Sequence, residues 1–252
     1  MRIFAISDLH IDYEENRDWI SGLSEQEYTD DVLIVAGDIC DKNEELIWGF
    51  IKLKKKFSRV LFVPGNHDLW VTRKDCDDSI MSYKNITEIA EDYGIDTKPV
   101  TMDSLTIVPL LGWYDYTFGK PGPKLIAGWL DYHQCKWPKG FKEEEVTEYF
   151  LALNEQYLSI KNEKIISFSH FLPRIDLMPS FIPANFRIVY PALGTSHLEE
   201  QVRMLNPIIH VYGHSHVNQH IVKEGIRYIN NAYGYPHETN ISDKQLICIY
   251  ET

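Results

Sequence analysis

Gly65-Asn66-His67-Asp68 follows the apolar run Val60-Leu61-Phe62-Val63 and Pro64. Read as a strand, that run must stop at Pro64-Gly65, because proline has no ladder donor and glycine accepts any φ. The three polar side chains after it therefore land at a strand end. Open α/β sheets place their chemistry at such ends. Taken alone, the four residues read equally well as an ordinary polar turn, and only partners elsewhere in the chain separate the two readings.

The same punctuation recurs along the chain. Arg2 to Ser7 is a short apolar-rich run that ends on Asp8-Leu9-His10, and residues two apart in extended chain share a side, so Asp8 and His10 can reach one ion. Val32-Leu33-Ile34-Val35-Ala36 ends on Gly37-Asp38. Lys164 to Phe168 delivers Ser169-His170, and Ile208 to Tyr212 ends in Gly213-His214-Ser215-His216. Between these runs the spacing of Leu46, Ile47, Phe50, Leu53 and Phe57 predicts a helix over Glu44 to Phe57. Ser82 to Tyr93, Glu143 to Lys161 and Ser196 to Leu205 also read as helices, and Leu105 to Leu111 as a buried strand. Strand and helix in alternation is the signature of an α/β sheet.

Two stretches read differently. Gly112 to Gly140 carries Trp113, Tyr114, Tyr116, Phe118, Trp129, Tyr132 and Trp137 among glycines and prolines, an aromatic-rich insertion whose rings either line a substrate pocket or form a satellite core. At the other end, Asn218 to Lys223, Ile226 to Asn231 and Gln245 to Glu251 are expected to form an antiparallel set packed on the end of the core. At 252 residues the chain is long enough for a sizeable core and is read as a single domain, 1–252.

A net charge of -12 disfavours non-specific nucleic-acid binding, which needs clustered Lys and Arg. The one basic run, Lys52 to Lys56, reads as the solvated face of a helix near its negative end. No apolar run approaches a membrane span, and the apolar start before Asp8 is too short for a signal peptide. Cys40, Cys76, Cys135 and Cys248 show no Cys-x-x-Cys spacing. Reduced thiols and a cytoplasmic location are the expectation.

Collected from the strand ends, the candidate metal ligands are Asp8, His10, Asp38, Asn66, His170, His214 and His216. Seven N and O donors with no cysteine are too many for one tetrahedral ion and suit two divalent ions that share a carboxylate. The mixed donor set favours Mn, Fe or Zn over Mg or Ca. Paired ions of this kind sit about 3.5 to 4 Å apart and hold a hydroxide suited to attack on phosphorus.

In order, Asp8-x-His10, Gly37-Asp38-x-x-Asp41, Gly65-Asn66-His67-Asp68, Ser169-His170 and Gly213-His214-x-His216 resemble the motifs of the calcineurin-like metallophosphoesterase superfamily, over residues 8 to 216. The resemblance implies a four-layer αββα sandwich with both metals at the strand ends. It implies that Asp8, His10, Asp38 and His216 hold the first ion, that Asp38, Asn66, His170 and His214 hold the second, and that Asp38 bridges them. His67 would assist the leaving oxygen, with Asp41 orienting its imidazole, although the plain reading of Asp41 is a turn or N-cap residue. Lys42 stands where the superfamily's protein serine/threonine phosphatases carry arginine, and Asp68 where they carry glutamate. Both departures point to a smaller phosphomonoester or phosphodiester substrate, cut by a bridging hydroxide. A metal-dependent nuclease and a catalytically silent scaffold are the alternatives. Arg174, four residues past His170, is the candidate phosphate clamp, with a plain surface arginine as the other reading.

Overall fold

The structure is a computed structural model that describes residues 1–252. Its strands are β1 (Arg2–Ile6), β2 (Val32–Ala36), β3 (Arg59–Val63), β4 (Val100–Met102), β5 (Leu105–Pro109), β6 (Lys164–Phe168), β7 (Ile209–Tyr212), β8 (Gln219–Lys223), β9 (Ile226–Asn230) and β10 (Ile247–Glu251). Its α-helices are α1 (Glu14–Gly22), α2 (Asn43–Lys54), α3 (Asn66–Leu69), α4 (Ser79–Asp92), α5 (Pro123–Gly128), α6 (Asp131–Gln134), α7 (Glu143–Asn154) and α8 (Ser196–Leu205).

The strands form two sheets, one in the order β10-β1-β2-β3 and the other β4-β5-β6-β7-β9-β8. Strand parity assigns each side chain to a layer. In β1 and β2, Phe4, Ile6, Leu33 and Val35 join the core under the helices, whereas Ile3, Ala5, Val32, Ile34 and Ala36 face the second sheet. The inter-sheet core is completed by Ile107, Ile166, Phe168, Ile209, Val211 and Ile229. On the far face of the second sheet, Val108, Tyr212 and Tyr228 pack under Leu198, Val202 and Leu205 of α8. Three apolar layers therefore separate four layers of secondary structure, the expected αββα sandwich. Strands buried on both faces must be apolar throughout, which is why β2 reads Val-Leu-Ile-Val-Ala without alternation.

The strands β1, β2 and β3 run parallel, as do β5, β6, β7 and β9. Parallel strands put all their C-terminal ends on one side, so one edge of the sandwich collects Asp8, Asp38, Asn66, His170 and His214. The sheets are joined there by a bridge between Ser7 and Ala232 and by Asn231, whose Nδ2 donates to the Ala5 carbonyl at 2.9 Å.

Two expectations are corrected, and one helix, α1, adds to the elements read from the sequence. The closing strands do not form one antiparallel set: β8 and β9 make a hairpin in the larger sheet, but β10 crosses to the smaller one and pairs antiparallel with β1. The polar stretch after Asp12 holds α1, which fixes itself by burying Asn16 and Ile20. The Glu143 to Lys161 helix is α-helical only to Asn154, whose side chain bonds both the N–H and the carbonyl of Leu111 at 2.9 and 2.8 Å, and it tightens into a 3-10 turn over Glu155–Tyr157.

Candidate metal centre

The backbone at the collected strand ends is bent. Asp8 (φ 53°), His10 (42°), Asp38 (56°), His214 (67°) and His216 (55°) all occupy the left-handed region. Each such residue costs about 1–2 kcal/mol relative to ordinary geometry, so neighbours must hold it there. Backbone bonds tie the β1 and β2 loops together, from Asp8 N–H to the Gly37 carbonyl at 2.9 Å and from His10 N–H to the Asp38 carbonyl at 3.1 Å. Asp68 supplies the largest share. Its buried carboxylate accepts four backbone N–H groups, from Asp38 and Gly65 at 2.8 Å, Ile39 at 3.0 Å and Cys40 at 3.1 Å, and so clamps the β2 loop to the β3 loop. Gly65 is required by space, since a Cβ there would stand 2.7 Å from Cε1 and Nε2 of His170.

The hydrogen bonds on the outer side of each imidazole set its tautomer. His170 Nδ1 lies 2.9 Å from the Ala36 carbonyl and His214 Nε2 lies 3.0 Å from the Ala192 carbonyl. A carbonyl has no proton to give, so both nitrogens are N–H donors, and the remaining nitrogens carry lone pairs. Those lone pairs, His170 Nε2 and His214 Nδ1, face each other at 3.1 Å. Asn66 Oδ1 stands 3.0 Å from His170 Nε2, and Asp38 Oδ2 stands 3.4 Å from it. The Asn66 amide is oriented in turn by Asp131, which accepts its Nδ2–H at 2.8 Å and so aims the oxygen inward. Four acceptors converging without a donor are what a cation site requires.

A second convergence lies beside the first. His216 Nδ1 donates to Glu238 at 2.6 Å, which turns Nε2 toward Asp8 Oδ1 at 3.2 Å and His10 Nε2 at 3.1 Å. His10 Nδ1 is buried without a partner. The electrostatics agree with the geometry. Burial and the carboxylates of Asp8 and Asp68 push Asp38 well above the usual carboxylate range. Burial drives His170 down to about 3 and His214 down to about 4, so both rings are neutral, as ligands must be. Burial opposes charge on His216 too, but Asp8 and Glu238 overcome it and hold this one imidazole up at about 10, so an ion held by its Nε2 would have to displace a proton from that nitrogen. The donor set thus fits two divalent ions: Asp8, His10 and His216 form one cluster, Asp38, His170 and His214 another, and Asp38 also groups with His10.

His67 lies beside both clusters. Its N–H donates to Asp38 Oδ1 at 2.9 Å, its ring stacks on Trp70 at 3.7 Å, and its Nε2 is 3.4 Å from the Tyr235 hydroxyl. Burial and the neighbouring His10 and His216 rings lower its pKa well below the ordinary histidine value. Two expectations about helpers are corrected here. Asp41 does not reach His67: its Oδ2 pairs with Arg73 at 3.3 Å and its Oδ1 has no partner, because the turn into α2 points the carboxylate toward the Arg73 side. Arg174 is no phosphate clamp, because Asp176 at 2.9 Å, Glu199 at 3.2 Å and Glu224 at 3.3 Å hold it on the outer face of the larger sheet.

The centre opens into a cleft of about 230 Å³, lined by Asp38, Asn66, His67, His214 and His216 on the metal side. Its other wall is Trp129, Val189, Leu193 and Tyr235, with no lysine or arginine. The aromatic insertion divides between the two readings: Trp113 and Tyr114 are fully buried in the core, and Trp129 faces the cleft. Motif spacing missed Asp131 and Glu238. The only signal for Asp131 was an acid amid tryptophans, and it accepts from both Trp70 Nε1 at 2.7 Å and Trp129 Nε1 at 2.8 Å.

Fold and donor set together define a metal-dependent hydrolase of phosphate esters. The chain belongs to the calcineurin-like phosphoesterase family, whose match covers residues 1–218. Among its relatives is PptH of Mycobacterium tuberculosis, named as an [acyl-carrier-protein] phosphodiesterase, 28% identical with 94% of this chain and 78% of that protein covered. Uncharacterized protein L509 of Acanthamoeba polyphaga mimivirus is 26% identical, with 95% and 94% covered. The crystal structure of the M. tuberculosis protein, titled phosphopantetheinyl hydrolase, superposes with a TM-score of 0.76 at 24% identity, covering 95% of this chain and 91% of that one. That likeness shows the fold. No helix is long and apolar enough to cross a membrane.

Proposed function

We propose that the chain hydrolyses a phosphodiester, with Asp8, His10, Asp38 and His216 holding one divalent ion and Asp38, Asn66, His170 and His214 holding the second. The observation that carries the diester is the cleft lining: beyond the metal ligands it offers no lysine or arginine. A phosphomonoester brings two negative charges and commonly needs cationic side chains besides the metals, whereas a diester brings one. When bound, the ions neutralise phosphoryl oxygens and lower the pKa of a water to supply the nucleophile. Mn, Fe and Zn are the candidates, from the mixed N and O donors.

The chain's own residues do the positioning. Asn66 is held by Asp131 and His216 by Glu238, so neither ligand has to be ordered when substrate arrives. His67 and Tyr235 stand 3.4 Å apart beside the centre and are assigned to the leaving oxygen, where either N–H or O–H can donate. Trp129, Val189 and Leu193 give an apolar wall that accepts an ester group and excludes water. The relationship to PptH supports a phosphodiester that joins a phosphopantetheinyl arm to a carrier protein. The chain is taken to work as one domain with residues 112–140 as an insertion, and in the cytoplasm, in keeping with its four free cysteines.

The test is hydrolysis of p-nitrophenyl phosphate against bis(p-nitrophenyl) phosphate by the Mn-loaded protein. The expected result is a kcat/KM at least tenfold higher on the diester, and a tenfold preference for the monoester would overturn this reading.

A further inference from the structure

The wall of the cleft continues outward into a surface that the metal chemistry does not use. Val189 and Leu193, which line the cleft, lie on or directly after the 3-10 segment Ala184–Ala192, and α5 packs against that segment. Outside the cleft the same two elements expose Phe186 at 62%, Ile188 at 47% and Ile126 at 52%. Phe181 at 71% and Leu130 at 51% extend the patch. Arg187 bonds the carbonyls of Ser180 and Ile182, at 3.0 and 2.9 Å, which ties the turn carrying Phe181 to the 3-10 segment that carries Phe186. Exposed apolar groups of this size scattered singly need no explanation, but several carried on two packed elements that border an active-site cleft mark a partner surface.

Charge says which partner. The chain has 37 Asp and Glu in 252 residues, yet none falls between Tyr116 and Leu130 or between Leu177 and Leu198. Those two stretches build the patch, and their charged side chains are Lys120, Lys124 and Arg187. Lys120 and Lys124 are exposed and form no ion pair. A protein of net charge -12 therefore carries an acid-free, apolar and positively charged lip beside its cleft. Next to the cleft, this acid-free lip is the approach that does not repel an acidic partner.

We propose that this lip, Phe181, Phe186, Ile188, Ile126, Lys120 and Lys124, is the docking surface for an acidic carrier protein whose serine-linked phosphodiester reaches into the cleft. The proposal rests on the phosphodiesterase reading above. Aliphatic and aromatic side chains outnumber the cations, which favours a protein helix with an apolar stripe over a nucleic acid, where phosphate contacts dominate.

The test uses the full-length Mn-loaded protein and two substrates, a net-negative holo-acyl carrier protein and bis(p-nitrophenyl) phosphate. The variants are Phe181→Ser with Phe186→Ser, and Lys120→Glu with Lys124→Glu. The expected result is a loss of at least tenfold in kcat/KM on the carrier protein, carried mainly by KM, and less than a twofold change on the small diester. Salt should depress the wild-type rate on the carrier protein and not on the small ester. Unchanged carrier kinetics in both variants would overturn the docking surface while leaving the phosphodiesterase reading intact. A wild-type protein that cleaves the small diester and not the carrier would overturn the carrier as substrate, and the lip's role with it. Binding to anionic phospholipid vesicles or to a single-stranded oligonucleotide that the same substitutions abolish, with carrier kinetics unaffected, would assign the lip to that partner instead.

Discussion

Asp131→Asn is the substitution that separates orientation of a metal ligand from ligation itself. The wild-type carboxylate is buried and accepts three N–H groups, Asn66 Nδ2 and Trp70 Nε1 on Oδ1 and Trp129 Nε1 on Oδ2. Burial raises its pKa, and the three donors oppose that rise. The asparagine has the same shape but one acceptor, so its amide nitrogen must face a donor on one side. If the oxygen stays with Asn66 and Trp70, Trp129 loses its partner and the cleft wall loosens. If it turns toward Trp129, two N–H groups oppose each other at Asn66, and that amide is driven to rotate its oxygen away from His170. A hydrogen bond to a charged acceptor is worth about 1.5–3 kcal/mol, and losing the partner that orients a ligand costs about 10–100-fold in metal affinity. The expected outcome is a 10–100-fold rise in the Mn dissociation constant of one site, with the other within about threefold. Isothermal titration of chelator-stripped protein reads the two sites, and tryptophan fluorescence reports Trp70 and Trp129. Affinities within twofold of wild type at both sites, in a protein of unchanged melting temperature, would refute the assignment of Asp131 to Asn66.

His67→Ala should lower kcat by about 10²-fold or more on alkyl phosphodiesters and much less on p-nitrophenyl esters, whose leaving group needs no proton; equal losses on both would argue against a role at the leaving oxygen. Arg174→Ala should leave kcat/KM on bis(p-nitrophenyl) phosphate within twofold, because its guanidinium is held by Asp176, Glu199 and Glu224. The same variant should lose about 1 kcal/mol of stability in urea, the scale of a partly exposed ion-pair network. Removing divalent ions with a chelator should lower the melting temperature: at a hundredfold excess over its dissociation constant each ion contributes about 2.7 kcal/mol, roughly 5–11 °C for a chain of this size. A melting curve indifferent to the chelator would argue against folded-state metal sites.

Much of the centre was legible because ligands sit where apolar runs end. A strand buried on both faces writes an unbroken apolar word, and the first polar residue after it marks the sheet edge, which located Asp8, Asp38, Asn66, His170 and His214. Asp68 could not be placed from the chain, since three of the four backbone N–H groups it accepts come from a loop some thirty residues earlier. Asp131 and Glu238 were illegible for a related reason: each acts through a single side-chain contact to a distant ligand, with no spacing rule to announce it. Arg174 was read from nearness in sequence and Asp41 from its place in the family motif, and both found an opposite charge on another element first. The path of β10 failed similarly. Three short strands with tight turns between them favour a meander, but the apolar alternation of Ile247 and Ile249 serves the edge beside β1 equally well. The left-handed backbone at Asp8, His10, Asp38, His214 and His216 had no sequence signal, because these positions carry no glycine and the strain is held by their neighbours.

The number of ions bound per chain decides whether the centre is dinuclear. Protein loaded with excess Mn, desalted and weighed by native mass spectrometry should carry two ions. Asp38→Asn, which removes the carboxylate assigned to both, should carry at most one and lose hydrolysis. A wild-type chain that saturates at a single ion, or an Asp38→Asn chain that keeps two ions and near-normal activity, would contradict a two-ion centre built around Asp38.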